Sequence, residues 1–141
     1  MIYIIAAMLL YIATTLLGAY ASRNADSGLI TAIMNIVSAI LPIAIIIPYV
    51  SKINLQDSKY GIIAAIFTGA SIALFTLAIN KSYSVNKVGI VAPIVFGGAI
   101  FLSTLISTVL FKEKVSLIQG FGLILLGFGF VVVTYARWVG K

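Results

Sequence analysis

The chain has no cysteine and no histidine, and only three acidic residues among its 141. Without thiols or imidazoles there is no disulfide framework, no zinc site of the Cys/His kind and no His-based catalysis. Charged residues make up 9 % of the sequence, against about 25 % in an ordinary soluble domain. Hydrophobic residues make up 62 %. So few ionic groups cannot cover a water-exposed surface. A soluble enzyme, a nucleic-acid binder and a disordered chain are therefore not expected. The formal net charge of +6 would suit a nucleic-acid partner in a polar chain. In this one it fits basic residues that anchor loops at a membrane surface.

What the sequence does have is long apolar runs. A helix needs roughly 20 apolar residues to cross the hydrocarbon core, and five such segments are present, at 2–20, 29–50, 60–80, 88–111 and 116–135. None contains a charged residue, as expected when a central Asp, Lys or Arg costs about 2.5–3.5 kcal/mol to insert. The fold class expected is all-α integral membrane, one transmembrane domain over 1–141. The first segment ends in Ala19-Tyr20-Ala21, which has the form of a signal-peptide cleavage site. It lacks a basic n-region and is longer than a usual signal h-region, so it is read as a span. The connection 51–59 is the longest and most polar. The link at 112–115 is nearly a bare turn, which predicts an antiparallel hairpin with Phe111-Lys112-Glu113-Lys114 at its tip and the two lysines snorkelling to headgroups.

Five spans put the termini on opposite sides. One side then carries Lys52, Lys59, Lys112 and Lys114, the other Arg23, Lys81, Lys87, Arg137 and Lys141. The positive-inside rule needs an excess of Lys and Arg on one side, and a difference of one residue barely supplies it. Two readings follow: dual topology, with copies inserted both ways and paired antiparallel, or one orientation fixed by weak signals or by a partner.

Small and polar residues fall on helical stripes: Tyr3, Ala7, Tyr11, Thr14 and Gly18 in the first span; Thr31, Asn35, Ser38 and Pro42 in the second; Gly69, Ala73, Thr76 and Asn80 in the third; Pro93, Gly97, Thr104 and Thr108 in the fourth; Gly120, Gly127, Val131 and Thr134 in the fifth. Such stripes commonly serve close packing of membrane helices. Gly120 and Gly127 are the candidates for packing against another subunit. Asn35 is the most polar side chain well inside a span, and a bare amide in hydrocarbon is costly; it is expected to face a neighbour helix, water or a cargo path. The candidate path comprises Tyr11, Thr14, Asn35, Ser38, Thr76, Asn80, Pro93 and Gly97. Pro93 with Gly97-Gly98 weakens the fourth helix and is the candidate hinge. The three acids, Asp26, Asp57 and Glu113, are expected at membrane edges, so proton coupling through a buried carboxylate is not expected. No catalytic residue, metal site or cofactor is expected.

The segments Ala92-Pro93-Ile94-Val95-Phe96-Gly97-Gly98, Leu110-Phe111-Lys112-Glu113-Lys114-Val115 and Gln119-Gly120-Phe121-Gly122-Leu123-Ile124-Leu125-Leu126-Gly127 together resemble the EamA-type repeat of the drug/metabolite transporter superfamily. Span number, loop order and turn motif agree over essentially the whole chain. Typical members carry two inverted repeats. The resemblance therefore implies an antiparallel homodimer of single repeats with a cargo path at its midplane, in the inner or plasma membrane of a prokaryote. The last four helices also resemble small multidrug resistance proteins, with a kink near Gly97-Gly98-Ala99 and a glycine-rich final helix for dimerisation. The membrane glutamate of that family has no counterpart in the second span, and its aromatic residues before the kink are replaced by Ala92-Pro93 and Val95. Proton-coupled export of aromatic cations is therefore not implied. The expected function is movement of a small polar or amphipathic metabolite by alternating access. The alternatives are a lipid-linked-sugar flippase subunit with a paralogous partner, and a non-transporting membrane assembly subunit.

Overall fold

In a computed structural model of the protein, the residues described are 1–52, 59–112 and 114–140. Most of the polar 51–59 connection, with Asp57, lies outside them, as do Glu113 at the expected hairpin tip and Lys141. Of the described residues 92 % are helical and none lies in a strand. Among the described residues, five helical stretches are long and apolar enough to cross a membrane: Ile2–Asn24, Ser27–Val50, Lys59–Val85, Val88–Leu110 and Leu117–Val139. They are built from α1 (Ile2–Asn24), α2 (Ser27–Ile46) continued by a 3₁₀ segment Ile47–Lys52, α3 (Lys59–Val85), α4 (Val88–Ala92), a π-helical turn Pro93–Gly97, α5 (Gly98–Leu110) and α6 (Leu117–Val139). The helices run past most of the apolar segments by a few residues.

Chain contacts divide the protein into two compact units, Met1–Val85 and Asn86–Lys141. In the first unit α1, α2 and α3 pack against one another. The turn between α1 and α2 is set by Asp26. Its carboxylate accepts from the Gly28 and Leu29 amides at 2.9 and 3.0 Å and so satisfies two of the orphan donors at the start of α2. At the same end of the unit, Arg23 Nε donates to the Tyr83 carbonyl at 3.3 Å. This joins the C-terminal ends of α1 and α3, which therefore run in the same direction, with α2 antiparallel between them in sequence.

The second unit is a hairpin. Ser116 and Gln119 form a reciprocal capping box at the start of α6, with Gln119 N donating to Ser116 Oγ at 3.2 Å and Ser116 N to Gln119 Oε1 at 2.9 Å. Lys112 takes a positive φ of 52°, the left-handed conformation that commonly ends a helix. The connection thus occupies 111–116, longer than the bare turn at 112–115 expected from sequence. Arg137 near the end of α6 donates to the Asn86 side chain.

Two glycines let α5 and α6 mesh. A Cβ on Gly98 would lie 3.2 Å from the Phe130 ring, and one on Gly127 would lie 3.1 Å from the Phe101 ring. Each helix inserts a phenylalanine over a glycine of the other, three residues forward on α5 matching three backward on α6. Small residues of this kind let membrane helices approach closely.

Burial runs opposite to that of a soluble protein. The large apolar side chains point outward, with Tyr3 87 % and Leu117 94 % exposed, while Ser22, Ser27, Thr31 and Asn80 are buried. An outer surface of this kind suits a hydrocarbon surround.

The glycine–phenylalanine meshing yields a prediction. Gly127→Val should overpack against Phe101 and destabilise the protein by about 1–3 kcal/mol. Gly129→Val, on the same helix but with nothing within 4 Å of its would-be Cβ, should leave stability unchanged. Thermal unfolding of the two purified variants in detergent, followed by circular dichroism, checks this; equal melting would contradict the packing.

Candidate functional site: a polar seam and a groove in the first unit

Apolar side chains alone give neighbouring helices in hydrocarbon little reason to prefer one another, so hydrogen bonds between them set register. The two shortest of those between α2 and α3 pair an asparagine with a threonine. Asn35 Nδ2 donates to Thr76 Oγ1 at 3.0 Å, and Asn80 Nδ2 donates to Thr31 Oγ1 at 2.9 Å. As α2 steps back four residues, α3 steps forward four, as an antiparallel pair must. Each threonine hydroxyl has an acceptor of its own: Thr31 Oγ1 lies 2.6 Å from the Ser27 carbonyl, and Thr76 Oγ1 lies 2.9 Å from the Ile72 carbonyl. The hydroxyl can thus donate along its own helix and accept across the interface.

Asn80 is 1 % exposed. Its amide nitrogen also lies 3.5 Å from Met34 Sδ. Gly18 of α1 closes this side of the seam, since a Cβ there would lie 3.7 Å from Asn80 Oδ1 and 3.5 Å from the Met34 methyl. Three helices therefore enclose one amide. Nearby on α1 the buried Ser22 hydroxyl makes no hydrogen bond among the described residues. Tyr83 is 2 % exposed; its hydroxyl makes no well-formed hydrogen bond, with Thr15 and Tyr11 as polar neighbours on α1.

A groove of about 480 Å³ lies between α1 and α2, lined by Thr14, Leu17, Gly18 and Ala21 on one wall and by Ile33, Met34, Val37, Ser38 and Leu41 on the other. Its volume falls within the range of small-molecule sites, about 300–1,000 Å³. The wall is apolar apart from two hydroxyls. Thr14 Oγ1 donates to the Leu10 carbonyl at 2.9 Å and Ser38 Oγ to the Asn35 carbonyl at 3.0 Å. With their protons engaged, both hydroxyls offer the groove lone pairs.

Of the eight expected path residues, Thr14 and Ser38 meet in this groove. Asn35, Thr76 and Asn80 form the seam beside it, and Tyr11, 45 % exposed, lies on the Tyr83 side of α1. Pro93 and Gly97 belong to the second unit. There they bound the π-helical turn. Proline lacks the N–H that a regular helix would direct to the carbonyl four residues back, and an extra residue in the turn is a common response. Gly97 has open space around it, whereas Gly98 is held against Phe130. On α6, Gly127 is filled by Phe101 of the same chain, while Gly120 is open.

Sequence reasoning kept Thr31 and Gly18 only as stripe residues and did not single out Ser22 or Tyr83. The last two lie beyond the apolar runs, in segments read as connections, and only helix length could have revealed them. No protein-family model, curated protein or solved structure matches the chain. The family resemblance rests on the sequence pattern alone.

The seam makes a quantitative prediction. A double-mutant cycle with Asn80→Ala and Thr31→Val, read by unfolding in mixed micelles, should give a coupling of about 0.6 kcal/mol and at most about 1.7 kcal/mol, the range of measured hydrogen bonds between membrane helices. Additive losses would mean that the two side chains do not bond.

Proposed function

We propose that the protein is a single-repeat membrane transporter of the drug/metabolite kind. Its cargo is a small polar or amphipathic metabolite, moved by alternating access between two copies inserted antiparallel. The observation that carries this reading is the groove between α1 and α2. It is large enough for a metabolite, mostly apolar, and bears two hydroxyls whose lone pairs suit a cargo that donates hydrogen bonds. The groove is open on a single chain, and a second copy would complete it. The near balance of four basic residues on one side against five on the other supports insertion both ways. Asn35 does not line the groove, but its backbone carbonyl accepts from the groove residue Ser38; in this reading its side chain exchanges the Thr76 partner for cargo. The absence of acidic residues from the apolar spans favours movement down a cargo gradient or by exchange over proton coupling.

Topology is the first test. The chain has no cysteine, so one introduced cysteine is a unique label. Ala25 is the site of choice because it is exposed in the α1–α2 turn with extended backbone; at Gly140 a Cβ would crowd the Ala136 carbonyl at 2.9 Å. With Ala25→Cys, a membrane-impermeant thiol reagent should label about half the population in intact cells and all of it after permeabilisation. Labelling from one side only would end the antiparallel homodimer. In proteoliposomes screened for counterflow of labelled amphipathic metabolites, Asn35→Leu should abolish flux while dimer content stays the same. Undiminished flux in that variant would remove Asn35 from the path.

A further inference from the structure

A second cavity, of about 310 Å³, lies in the second unit between α5 and α6, near the hairpin connection. Its chemistry changes along its length. Lys114 and Gln119 line it at the connection; Thr104 and Ser107 of α5 and Leu123 and Leu126 of α6 line it further in. At 1.5 Å of rise per residue, Thr104 lies about 9 Å and Leu126 about 14 Å from the connection ends of their helices. The headgroup layer is roughly 5–7 Å thick on each side of a bilayer. With the hairpin at the membrane surface, Lys114 and Gln119 stand at headgroup level and the leucines stand in hydrocarbon.

The polar end favours an anion. The described residues that line the cavity include one cation and no acid. By sequence the tip Lys112-Glu113-Lys114 keeps a net charge of +1. Gln119 uses its Oε1 in the capping box, which leaves its Nε2 as a donor beside Lys114. The start of α6 adds the positive end of a helix dipole. The apolar end favours an acyl chain over water. Basic pockets between membrane helices at headgroup level are suited to anionic lipids.

We propose that this cleft is a binding site for an anionic phospholipid, with the phosphate against Lys114 and the Gln119 amide and the start of an acyl chain along Leu123 and Leu126. The site is separate from the groove between α1 and α2 and does not depend on transport. Its occupancy would hold the α5–α6 hairpin at one depth in the membrane.

The test uses the full-length protein purified in a non-ionic detergent, with lipid retention read by native mass spectrometry. The probes are dioleoylphosphatidylglycerol, dioleoylphosphatidylcholine as the zwitterionic control and glycerol 3-phosphate as the soluble phosphate. The wild type should retain phosphatidylglycerol in preference to both. Lys114→Gln should weaken that retention about fivefold, the effect of one basic residue at an anionic lipid surface, while Lys112→Gln weakens it less. Gly122→Leu keeps every charge and fills the cavity, since Gly122 lines it with nothing within 4 Å of its would-be Cβ; it should abolish retention. Equal losses from Lys112→Gln and Lys114→Gln, or full retention by Gly122→Leu, would overturn the site in favour of diffuse surface charge. Equal retention of phosphatidylcholine, or glycerol 3-phosphate binding as tightly as the lipid, would overturn the assignment to an anionic phospholipid.

Discussion

An amide placed in hydrocarbon must find its partners within the protein, and in the first unit that requirement governs the packing. Asn80 cannot turn to water, so Thr31 has to arrive from α2 at the right height, and α1 has to bring a glycine instead of a larger residue to close over it. Asn35 and Thr76 repeat the constraint one turn away. The directional bonds are few, and each is worth a modest amount. Together they fix which faces of the three helices meet, and the groove between α1 and α2 follows from that choice.

The second unit solves the same problem by shape. Among the described residues no side-chain hydrogen bond joins α5 to α6; the serine and threonine hydroxyls of both helices donate along their own helix. The helices instead interlock phenylalanine over glycine in two reciprocal pairs, so that dispersion contacts and close approach do the work that hydrogen bonds do in the first unit. The difference suits different duties. Polar bonds between side chains can exchange one partner for another, whereas meshed rings resist sliding and hold a cleft of constant form.

The number and approximate position of the helices were legible because about 20 uninterrupted apolar residues have few other fates. The helix ends were less so. Hydropathy measures the length within hydrocarbon, and α1, α3 and α6 continue into the interface over 21–24, 81–85 and 136–139, where polar residues are tolerated. That is why Ser22 and Tyr83 escaped notice. The polarity of Asn35 marked it in the sequence; its pairing with Thr76 was invisible there, because register between helices is a property of two faces together. Gly127 shows the same limit. Its stripe announced close packing, but nothing in the order of residues said that Phe101 of the same chain would fill the space.

The π-helical turn at Pro93–Gly97 ties the direction of α4 to the rotational setting of α5. Each residue of an α-helix accounts for about 100° of rotation, so a turn that takes up one extra residue sets the face of α5 by that angle relative to an unbroken helix. Converting the turn to regular helix would swing Gly98 and Phe101 away from Phe130 and Gly127 together. The interlocked pair and the irregular turn are thus one mechanical element, in which the hairpin acts as a detent: α5 has a preferred angular stop, and leaving it means unseating two aromatic rings at once.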